Sequence, residues 1–421
     1  MDSRLPPAKV DIGSGAAGRM AAFCAARKGD GGAGPLRLVA DAATWAAAGA
    51  DAERELRAAG LAVRATVFED SHLAADARSV FRLLVDDDRR ERLYVAVGSG
   101  TLTDIVRFAC HRTGRDFVSL ATAASVDAYT SVVAPVVVDG MKRTYPASAP
   151  VAVFADTEVL ARAPRPMTSA GFGDMLCKFS AVADWRLGAL IWGEPFDEAI
   201  AIRAAAAARS CVDAVDAIGA VRPEGLAVLM AALVESGLCM AEAGHSRPAS
   251  GAEHQCSHFW EMRLLREGRA PILHGLKVGI GTLETARLWD LVRGLSKAEA
   301  ARLLSRSRLP SRSAEEARIR EAYGDGAEEN VSVQSRFLSM DEGGLEALKR
   351  ETLDGWDAIL ALAASVPTAA DTKRLLTLAG CPTEARALGL GAQEAALGLS
   401  CAHYLRDRFT VKKLSLLLGL G

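Results

Sequence analysis

Four of the seven histidines in this 421-residue chain lie between His245 and His274. His254 and His258 are four residues apart in EHQCSHFWEM, a spacing that places both imidazoles on one face of a helix. His274 follows a proline break and precedes a glycine. Imidazoles from a helix and a turn can bind one divalent metal, with a carboxylate as the remaining protein ligand. Asp174 is a suitable carboxylate, and we expect it to open a helix after a Gly-Phe-Gly turn.

The spacing alone leaves two interpretations of these residues open. One is a metal site, and the other is a capping aspartate with structural histidines. The HExxH pattern is absent, which excludes a zincin-type site. If a metal binds, zinc is the default for an Asp/His/His site with an open position, although imidazole also suits nickel or iron.

A second candidate site is the Gly98-Ser99-Gly100 turn, which lies between an apolar β-prone run and a helical stretch that starts near Thr101. Glycines there let backbone N–H groups approach a pyrophosphate, and a helix N-terminus favours the anion. The third glycine of GxGxxG is missing, because position 103 is Thr. An ordinary strand-to-helix turn therefore explains the residues equally well. Asp41, at the end of an earlier run, suits either a ribose hydroxyl or a helix N-cap.

The elements that must position these residues change once along the chain. From residue 36 to 160, short β-prone runs alternate with helical patterns, which indicates βαβ units and a parallel sheet. Residues 132–148 predict a hairpin with an Asp-Gly turn, and residues 151–156 predict the last strand. After Pro166 only helical spacing remains.

We therefore predict an α/β fold, in which an N-terminal parallel-sheet domain is followed by an all-helical C-terminal domain. Residues 1–163 form the dinucleotide-binding domain, and residues 164–421 form the metal- and substrate-binding domain. Ligands of doubly wound sheets bind at the carboxyl ends of the strands. We accordingly expect the site in the interdomain cleft.

The composition excludes several classes of protein. A formal charge of -2 gives no electrostatic footprint for nucleic acid or an anionic membrane. No stretch reaches the roughly 18 uninterrupted apolar residues of a membrane span, and the N-terminus lacks the apolar segment of a secretory signal. The eight cysteines are scattered without a CxxC pair, as is typical of a reducing compartment. We predict a cytoplasmic protein with a small-molecule substrate, no nucleic-acid partner and no membrane span.

Taken together, the motifs resemble those of the sn-glycerol-1-phosphate dehydrogenases, within the superfamily of iron-dependent alcohol dehydrogenases, glycerol dehydrogenases and dehydroquinate synthases. The resemblance runs in family order from residue 39 to 282, and residues 283–421 match only as a generic helical domain. The matching segments are VADAATW, GSGTLTDIVRF, ATAASVDAYTS, VVDGMKRTYPAS, FADTEVL, AGFGDMLCKFSAVADW, SRPASGAEHQCSHFWEM and LHGLKVGIGT.

This resemblance implies cofactors and residue roles. The cofactors are NAD(H) or NADP(H) and one divalent metal. The residues implied to hold the dinucleotide are Asp41, Gly98, Ser99, Gly100, Thr101 and Leu102, with Thr122, Ala123, Ala124, Ser125 and Ser131 on its nicotinamide half. Asp174, His254 and His274 are the implied metal ligands, and Asp127, Asp174 and His258 are implied to face substrate.

Three positions depart from the family pattern. Arg107 stands where Lys is usual, Ala128 where this branch usually has Gly, and Leu276 where an acidic residue is common. None of the three is a metal ligand.

The implied activity is the reversible, metal-dependent reduction of dihydroxyacetone phosphate to sn-glycerol 1-phosphate, a step of phospholipid metabolism. His258 or water would carry the proton, since the pKa of an unperturbed histidine is near 6.5. The substrate phosphate requires a cation, for which Lys178 or the pair Lys142 and Arg143 are candidates. A homodimer or a larger homo-oligomer is compatible with these features.

Three alternatives remain open at this stage. A polyol dehydrogenase would act on unphosphorylated glycerol. A sugar-phosphate cyclase of the dehydroquinate synthase type usually has Glu as its carboxylate ligand, so Asp174 counts against it. A catalytically silent NAD-binding scaffold would have no need of three converging ligands.

Overall fold

A computed structural model describes residues 7, 9–27, 34–70, 73–85, 90, 93–138 and 141–420. The chain forms two compact units. The first unit comprises Met1–Met175 and Arg209–His245, and the second comprises Leu176–Ala208 and Ser246–Gly421.

The strands of the described residues all belong to the first unit. They are β1 (Lys9–Ile12), β2 (Leu36–Asp41), β3 (Val63–Phe68), β4 (Leu93–Gly98), β5 (Asp116–Ala121), β6 (Val133–Val138), β7 (Met141–Pro146) and β8 (Ala152–Ala155).

Helices occur in both units. Up to residue 243 they are α1 (Ala16–Ala26), α2 (Ala42–Thr44), α3 (Ala50–Ala58), α4 (Ala77–Val85), α5 (Gly100–Thr113), α6 (Thr157–Arg162), α7 (Arg165–Leu176), α8 (Lys178–Trp192), α9 (Glu198–Asp213), α10 (Val215–Gly219) and α11 (Pro223–Ala243). The remaining helices are α12 (Ala252–Arg266), α13 (His274–Arg293), α14 (Lys297–Arg306), α15 (Arg312–Tyr323), α16 (Ala327–Val333), α17 (Ser335–Leu338), α18 (Glu342–Asp354), α19 (Trp356–Ser365), α20 (Ala369–Leu378), α21 (Ala392–Cys401) and α22 (Val411–Leu418).

The main sheet has six strands in the order β1-β8-β5-β4-β2-β3, and every neighbouring pair is parallel. This confirms the predicted α/β class and the position of the last strand. Strand β1 was not predicted, because its four residues, KVDI, carry little apolar signal. Its place is decided by main-chain pairing with β8, in the register Lys9↔Ala152.

Both faces of the sheet are buried, as parallel sheets require. Along β4, Val95 and Val97 pack on the side of α1 and α3, whereas Tyr94 and Ala96 pack on the side of α4 and α5. Side chains alternate between the two faces with the two-residue period of a strand. Because both faces are buried, successive residues of β4 are all apolar, and the sequence shows a continuous apolar run.

The predicted hairpin forms from β6 and β7, which pair antiparallel with Val136 opposite Arg143. Its Asp-Gly turn, at residues 139 and 140, lies outside the described residues.

The second unit is built from helices, and no strand occurs among the described residues beyond β8. One core packs around Trp289 and Trp356, and another around Trp260 and Tyr404. The all-helical prediction for the C-terminal part of the chain is therefore confirmed.

The single domain cut after residue 163 stays a prediction. The compact units group residues 164–175 and 209–245 with the sheet. Helix α11 packs closely there: a Cβ on Gly237 would lie 2.2 Å from Thr130 Oγ1, so only glycine allows the approach. Within the described residues, α11 alone is long and apolar enough to span a membrane, and half of its apolar window is buried inside the protein, as in a core helix.

Candidate functional site

The strand order reverses between β2 and β4. From β2 the chain continues outward to β3, whereas from β4 it continues in the other direction to β5. Asp41 ends β2 and Gly98 ends β4, so both predicted dinucleotide residues lie at the carboxyl edge beside this reversal. Ligands of open parallel sheets bind in the crevice that such a reversal creates.

The glycine turn leads directly into α5, which begins at Gly100. A Cβ on Gly98 would lie 2.5 Å from Leu102 Cδ1, so glycine is needed for the strand to meet the first helical turn. A Cβ on Gly100 would have Val126 Cγ2 at 3.5 Å as its nearest neighbour, which is an ordinary contact. The protein's own packing therefore explains Gly98 but not Gly100.

The loop after β5 lies against this turn. The Thr122 amide donates to the Gly98 carbonyl at 3.1 Å, and the hydroxyls of Ser99 and Ser125 are hydrogen-bonded at 3.1 Å. Ala123 and Ala124 are buried, and the Tyr129 hydroxyl donates to the Ala123 carbonyl. The structure thus brings together two segments that the sequence analysis had selected separately.

Asp41 is an N-cap. Its Oδ1 accepts from the Thr44 amide at 2.8 Å, and the Thr44 hydroxyl accepts from the Asp41 amide at 3.0 Å. The structural interpretation of Asp41 is therefore confirmed. Its Oδ2 makes no hydrogen bond to any described residue, so one carboxylate oxygen remains available to a ligand while the other caps the helix.

Asp127 and Asp174 meet in the first unit. The Asp127 amide donates to Asp174 Oδ2 at 3.1 Å, and the Ser236 hydroxyl donates to Asp127 Oδ2 at 2.9 Å. Both carboxylates are buried. Ser236 was not predicted, because α11 follows Asp127 by about a hundred residues along the chain and only packing brings them together.

Asp174 does not open a helix, and that expectation was wrong. It lies near the end of α7, and the Gly-Phe-Gly segment before it is helical. A Cβ on Gly171 would lie 2.0 Å from the Ala124 carbonyl oxygen. The glycine at this position therefore serves the close approach of α7 to the loop after β5, and not a turn.

In the second unit, the imidazoles of His254, His258 and His274 converge. The ring centroids of His254 and His274 are 5.2 Å apart, those of His258 and His274 are 5.4 Å apart, and those of His254 and His258 are 6.1 Å apart. The first two histidines lie on one face of α12, and His274 is the first residue of α13. The predicted helical spacing is confirmed.

A buried carboxylate orients His254. Glu253 Oε1 lies 3.1 Å from His254 Nδ1 and accepts from the Gly251 amide at 2.6 Å, while Oε2 accepts from Ser180. Cys177 Sγ is also 3.7 Å from His254 Nδ1, but burial raises the pKa of that thiol, which favours its neutral form. Partners on Nδ1 leave Nε2 for coordination, an arrangement common to metal-binding histidines. Sequence reasoning missed Glu253, although an acidic residue beside a candidate ligand was a usable signal.

The donor chemistry fits a divalent metal. Each of His258, Glu261 and His274 offers one ligand atom, and these atoms lie within 4.8 Å of one another. Glu261 Oε2 is 3.9 Å from His258 Nδ1 and 3.6 Å from the ammonium of Lys277. Imidazole and carboxylate donors at this spacing suit zinc, nickel or iron.

The remaining predicted residues have other contacts. The Ser131 hydroxyl donates to the Val133 carbonyl at 2.9 Å. Lys178 is fully buried and donates to the Ala249 carbonyl, while Arg143 is exposed on β7. Nothing in these contacts assigns a phosphate to either cation, and the side chain of Lys142 lies outside the described residues.

The departure at Arg107 has a structural explanation. Its buried guanidinium donates to the carbonyls of Ala128, Tyr129 and Val133. Arg107 thereby ties α5 to the loop that follows Asp127, a tether whose forked geometry a lysine could not reproduce.

Comparison with known proteins agrees with this architecture. The model of the iron-containing alcohol dehydrogenase family matches residues 11–164. The glycerol-1-phosphate dehydrogenase of Halalkalibacterium halodurans is 35% identical over 379 residues, which is 89% of this chain and 85% of that protein. The enzyme of the same name from Bacillus velezensis is 36% identical over 89% of this chain and 83% of its own length.

Solved structures show the same fold. Maleylacetate reductase from Agrobacterium tumefaciens superposes with a TM-score of 0.60 at 14% identity, covering 99% of this chain and 95% of its own. Glycerol dehydrogenase from Schizosaccharomyces pombe has a TM-score of 0.55 at 17% identity, over 90% and 92% of the two chains. With this fold and 35% identity to named members over most of its length, the chain belongs to the glycerol-1-phosphate dehydrogenase family of the iron-containing alcohol dehydrogenases.

Proposed function

We propose that this protein reversibly reduces dihydroxyacetone phosphate to sn-glycerol 1-phosphate, with NADH or NADPH as hydride donor and a divalent metal. The observation that carries the proposal is the convergence of His254, His258 and His274 in a family member whose named relatives are glycerol-1-phosphate dehydrogenases. A scaffold protein would gain nothing from three converging imidazoles. The relatives at 35% identity give no such support to a polyol dehydrogenase or a sugar-phosphate cyclase, and the likeness to the Schizosaccharomyces pombe glycerol dehydrogenase, at 17% identity, concerns the fold alone.

The proposed metal ligands are Asp174, His254 and His274. Glu253 favours coordination through Nε2 of His254, because it occupies the other ring nitrogen. Asp174 would supply the carboxylate that completes an Asp/His/His ligand set. Zinc is the metal that this donor set favours, with nickel and iron as alternatives.

When bound, the metal supplies Lewis-acid polarisation of a substrate oxygen, and the nicotinamide supplies the hydride. The side chain of His258 is 43% exposed and faces Glu261 through Nδ1. An exposed imidazole with a carboxylate partner can hold a proton and pass it to the developing alkoxide. Asp127, held by the Ser236 hydroxyl, would orient a hydroxyl of the substrate.

The dinucleotide is proposed to bind along the carboxyl edge of the sheet. Residues Gly98 to Leu102 would present backbone N–H groups and the N-terminus of α5 to the pyrophosphate. The loop from Thr122 to Ser125, together with Ser131, would contact the nicotinamide half. Asp41 Oδ2 is placed to accept from a ribose hydroxyl, and its charge would repel the 2′-phosphate of NADP(H), so we propose a preference for NAD(H).

We also propose that the protein is cytoplasmic and acts on a small phosphorylated substrate. All eight cysteines are buried and none forms a disulfide, which agrees with a reducing compartment. A homodimer or a larger homo-oligomer stays a prediction.

A substrate panel with the purified, metal-analysed protein tests the proposal. We expect one bound metal per chain and rapid reduction of dihydroxyacetone phosphate by NADH. Unphosphorylated dihydroxyacetone should be reduced far more slowly, because the cations and N–H groups shaped for the phosphate would remain unpaired. The product should resist an enzyme specific for sn-glycerol 3-phosphate.

Each alternative has its own outcome in the same panel. Rapid oxidation of free glycerol would favour a polyol dehydrogenase. Release of phosphate from a sugar phosphate with no net change in NADH would favour a cyclase. Dinucleotide binding with no turnover of any substrate would favour a scaffold. Any of the three would overturn the proposal.

A further inference from the structure

The helical unit contains a cavity of about 110 Å³ that the proposed chemistry does not use. The residues of its lining that carry polar or charged groups are Gln255, Cys256, Glu284, Thr285, Arg287, His403 and Lys412, and the rest is aliphatic. In liquid water, the same volume holds roughly three to four molecules. It therefore suits a compact ligand and excludes a dinucleotide.

This cavity is separate from the histidine cluster. Cys256 is two residues from both His254 and His258, which places it about 200° around the axis of α12 from either imidazole. Thr285 is eleven residues after His274, or about 16 Å farther along α13. Cys256 therefore lies on the face of α12 away from the imidazoles, and the cavity borders the middle of α13, whereas His274 is the first residue of that helix.

Two buried side chains of the lining have nitrogens with no hydrogen-bond partner of standard geometry within the described part of the chain. They are Gln255, through Nε2, and His403, through both ring nitrogens. The partly exposed Lys412 brings its ammonium to the same lining. The Ser400 backbone raises the pKa of His403 by less than burial and the neighbouring positive charges lower it. Leaving buried polar groups unpaired costs free energy, and native proteins almost always supply a partner for them.

The charges that act on His403 are positive. Lys412, Lys413 and Arg318 all act on His403 and, together with its burial, hold the pKa of this imidazole well below its usual value. The carboxylate of the lining, Glu284, accepts from Arg287 at 2.5 Å, so its charge is balanced at the exposed mouth. The unpaired amide nitrogen of Gln255 is therefore a donor, and the neighbouring imidazole of His403 lies in a positive field.

We propose that this cavity binds a compact oxyanion, either inorganic phosphate or a short carboxylate, through Lys412, Gln255 and His403. The amide and the ammonium donate to the anion oxygens, and His403 completes the set of partners. Ala252, Leu288, Leu399 and Ala402 surround the anion on the apolar side and limit its size. The inference does not depend on the proposed dehydrogenase activity.

Isothermal titration of the metal-loaded protein with inorganic phosphate, and separately with acetate, at constant ionic strength tests the inference. The catalytic site is also expected to take a phosphate, so the comparison between variants decides. Lys412→Met removes the charge but keeps the aliphatic stem, and we expect it to weaken one class of anion site at least tenfold. Lys373→Met, an exposed lysine on α20, is the matched control and should change nothing. Binding of phosphate alone or of acetate alone would identify which oxyanion the cavity takes.

A second variant keeps the test valid if Lys412→Met folds poorly. His403→Phe replaces a buried, unpaired imidazole by an apolar ring, so it should raise the melting temperature of the ligand-free protein. It should also reduce the increase that phosphate or acetate produces in the wild type, leaving only the part that comes from anion binding elsewhere. Selenate soaked into crystals should give an anomalous peak beside Lys412 and Gln255.

The inference fails if neither anion binds to a site that Lys412→Met weakens. It also fails if selenate is found only at surface lysines, as an adventitious ion only, or if His403→Phe retains the full anion-induced shift. A rise in KM for dihydroxyacetone phosphate that accompanies the loss of anion binding in Lys412→Met would overturn it too, because the titration would then have reported the catalytic site.

Discussion

Gly98 and Gly100 flank one serine, yet the structure predicts opposite consequences when each becomes alanine. A methyl at position 98 would lie 2.5 Å from Leu102 Cδ1 and 2.8 Å from its Cβ. A methyl at position 100 would meet only the Val126 side chain, at 3.5 Å. The fold therefore requires glycine at position 98, whereas at position 100 the requirement must come from the ligand.

The magnitudes follow from these contacts. Overpacking costs about 1–3 kcal/mol, so Gly98→Ala should lower the free energy of unfolding by that amount. Gly100→Ala lies in the first turn of α5 and should leave stability unchanged or raise it by up to about 1 kcal/mol. If its methyl holds the pyrophosphate away from one backbone N–H, a charged hydrogen bond worth about 1.5–3 kcal/mol is lost. At 1.4 kcal/mol per tenfold, NADH affinity should fall roughly 10- to 100-fold.

Isothermal titration with NADH gives the affinity, and thermal unfolding without ligand gives the stability. Both variants are measured beside the wild type. The reasoning would be refuted if folded Gly100→Ala bound NADH within about twofold of the wild type, since that is less than half a kcal/mol. It would also be refuted if Gly98→Ala matched the wild type in stability, because the close contact with Leu102 would then carry no cost.

Three further predictions follow from the structure. His274→Ala should lose its metal while retaining NADH binding, and His258→Ala should retain the metal but lose turnover; equal metal content in both variants, by mass spectrometry, would contradict the assignment. Asp41→Asn should keep the N-cap, since asparagine caps as well as aspartate. It should raise the ratio of kcat/KM for NADPH to kcat/KM for NADH about tenfold. An unchanged ratio would mean that Asp41 does not contact the cofactor. Burial lowers the pKa of Lys413 from 10.5 to about 7. Between these two pH values the unfolded chain therefore binds more protons than the native protein. The stability that Lys413 contributes should rise with pH over that window. The free energy of unfolding of the wild type and of Lys413→Met can be measured from pH 6 to pH 10. The difference between the two proteins should change only above about pH 7. If the two curves of free energy against pH ran parallel, Lys413 would not titrate in that range.

Local periodicity was enough to predict several parts of this protein. Because both faces of β4 are buried, its residues form an apolar run. Runs of this kind, alternating with helical patterns, were enough to predict the parallel sheet, although not its strand order. The four-residue spacing of His254 and His258 places them on one helical face in any helix, and the structure keeps them there. These features depend only on neighbours within a turn or two along the chain.

Features that depend on contacts between distant segments required the tertiary structure. Gly171 resembled part of a turn in the sequence, but it lies inside α7, and the residue is glycine because the Ala124 carbonyl occupies the place of a side chain. Glu253 belongs to the site because hydrogen bonds from Ser180 and Gly251 hold its carboxylate against His254. Residue type and spacing along the chain determine which helix or strand a side chain occupies, whereas its partner depends on which distant segment packs against it, and no local pattern encodes that choice.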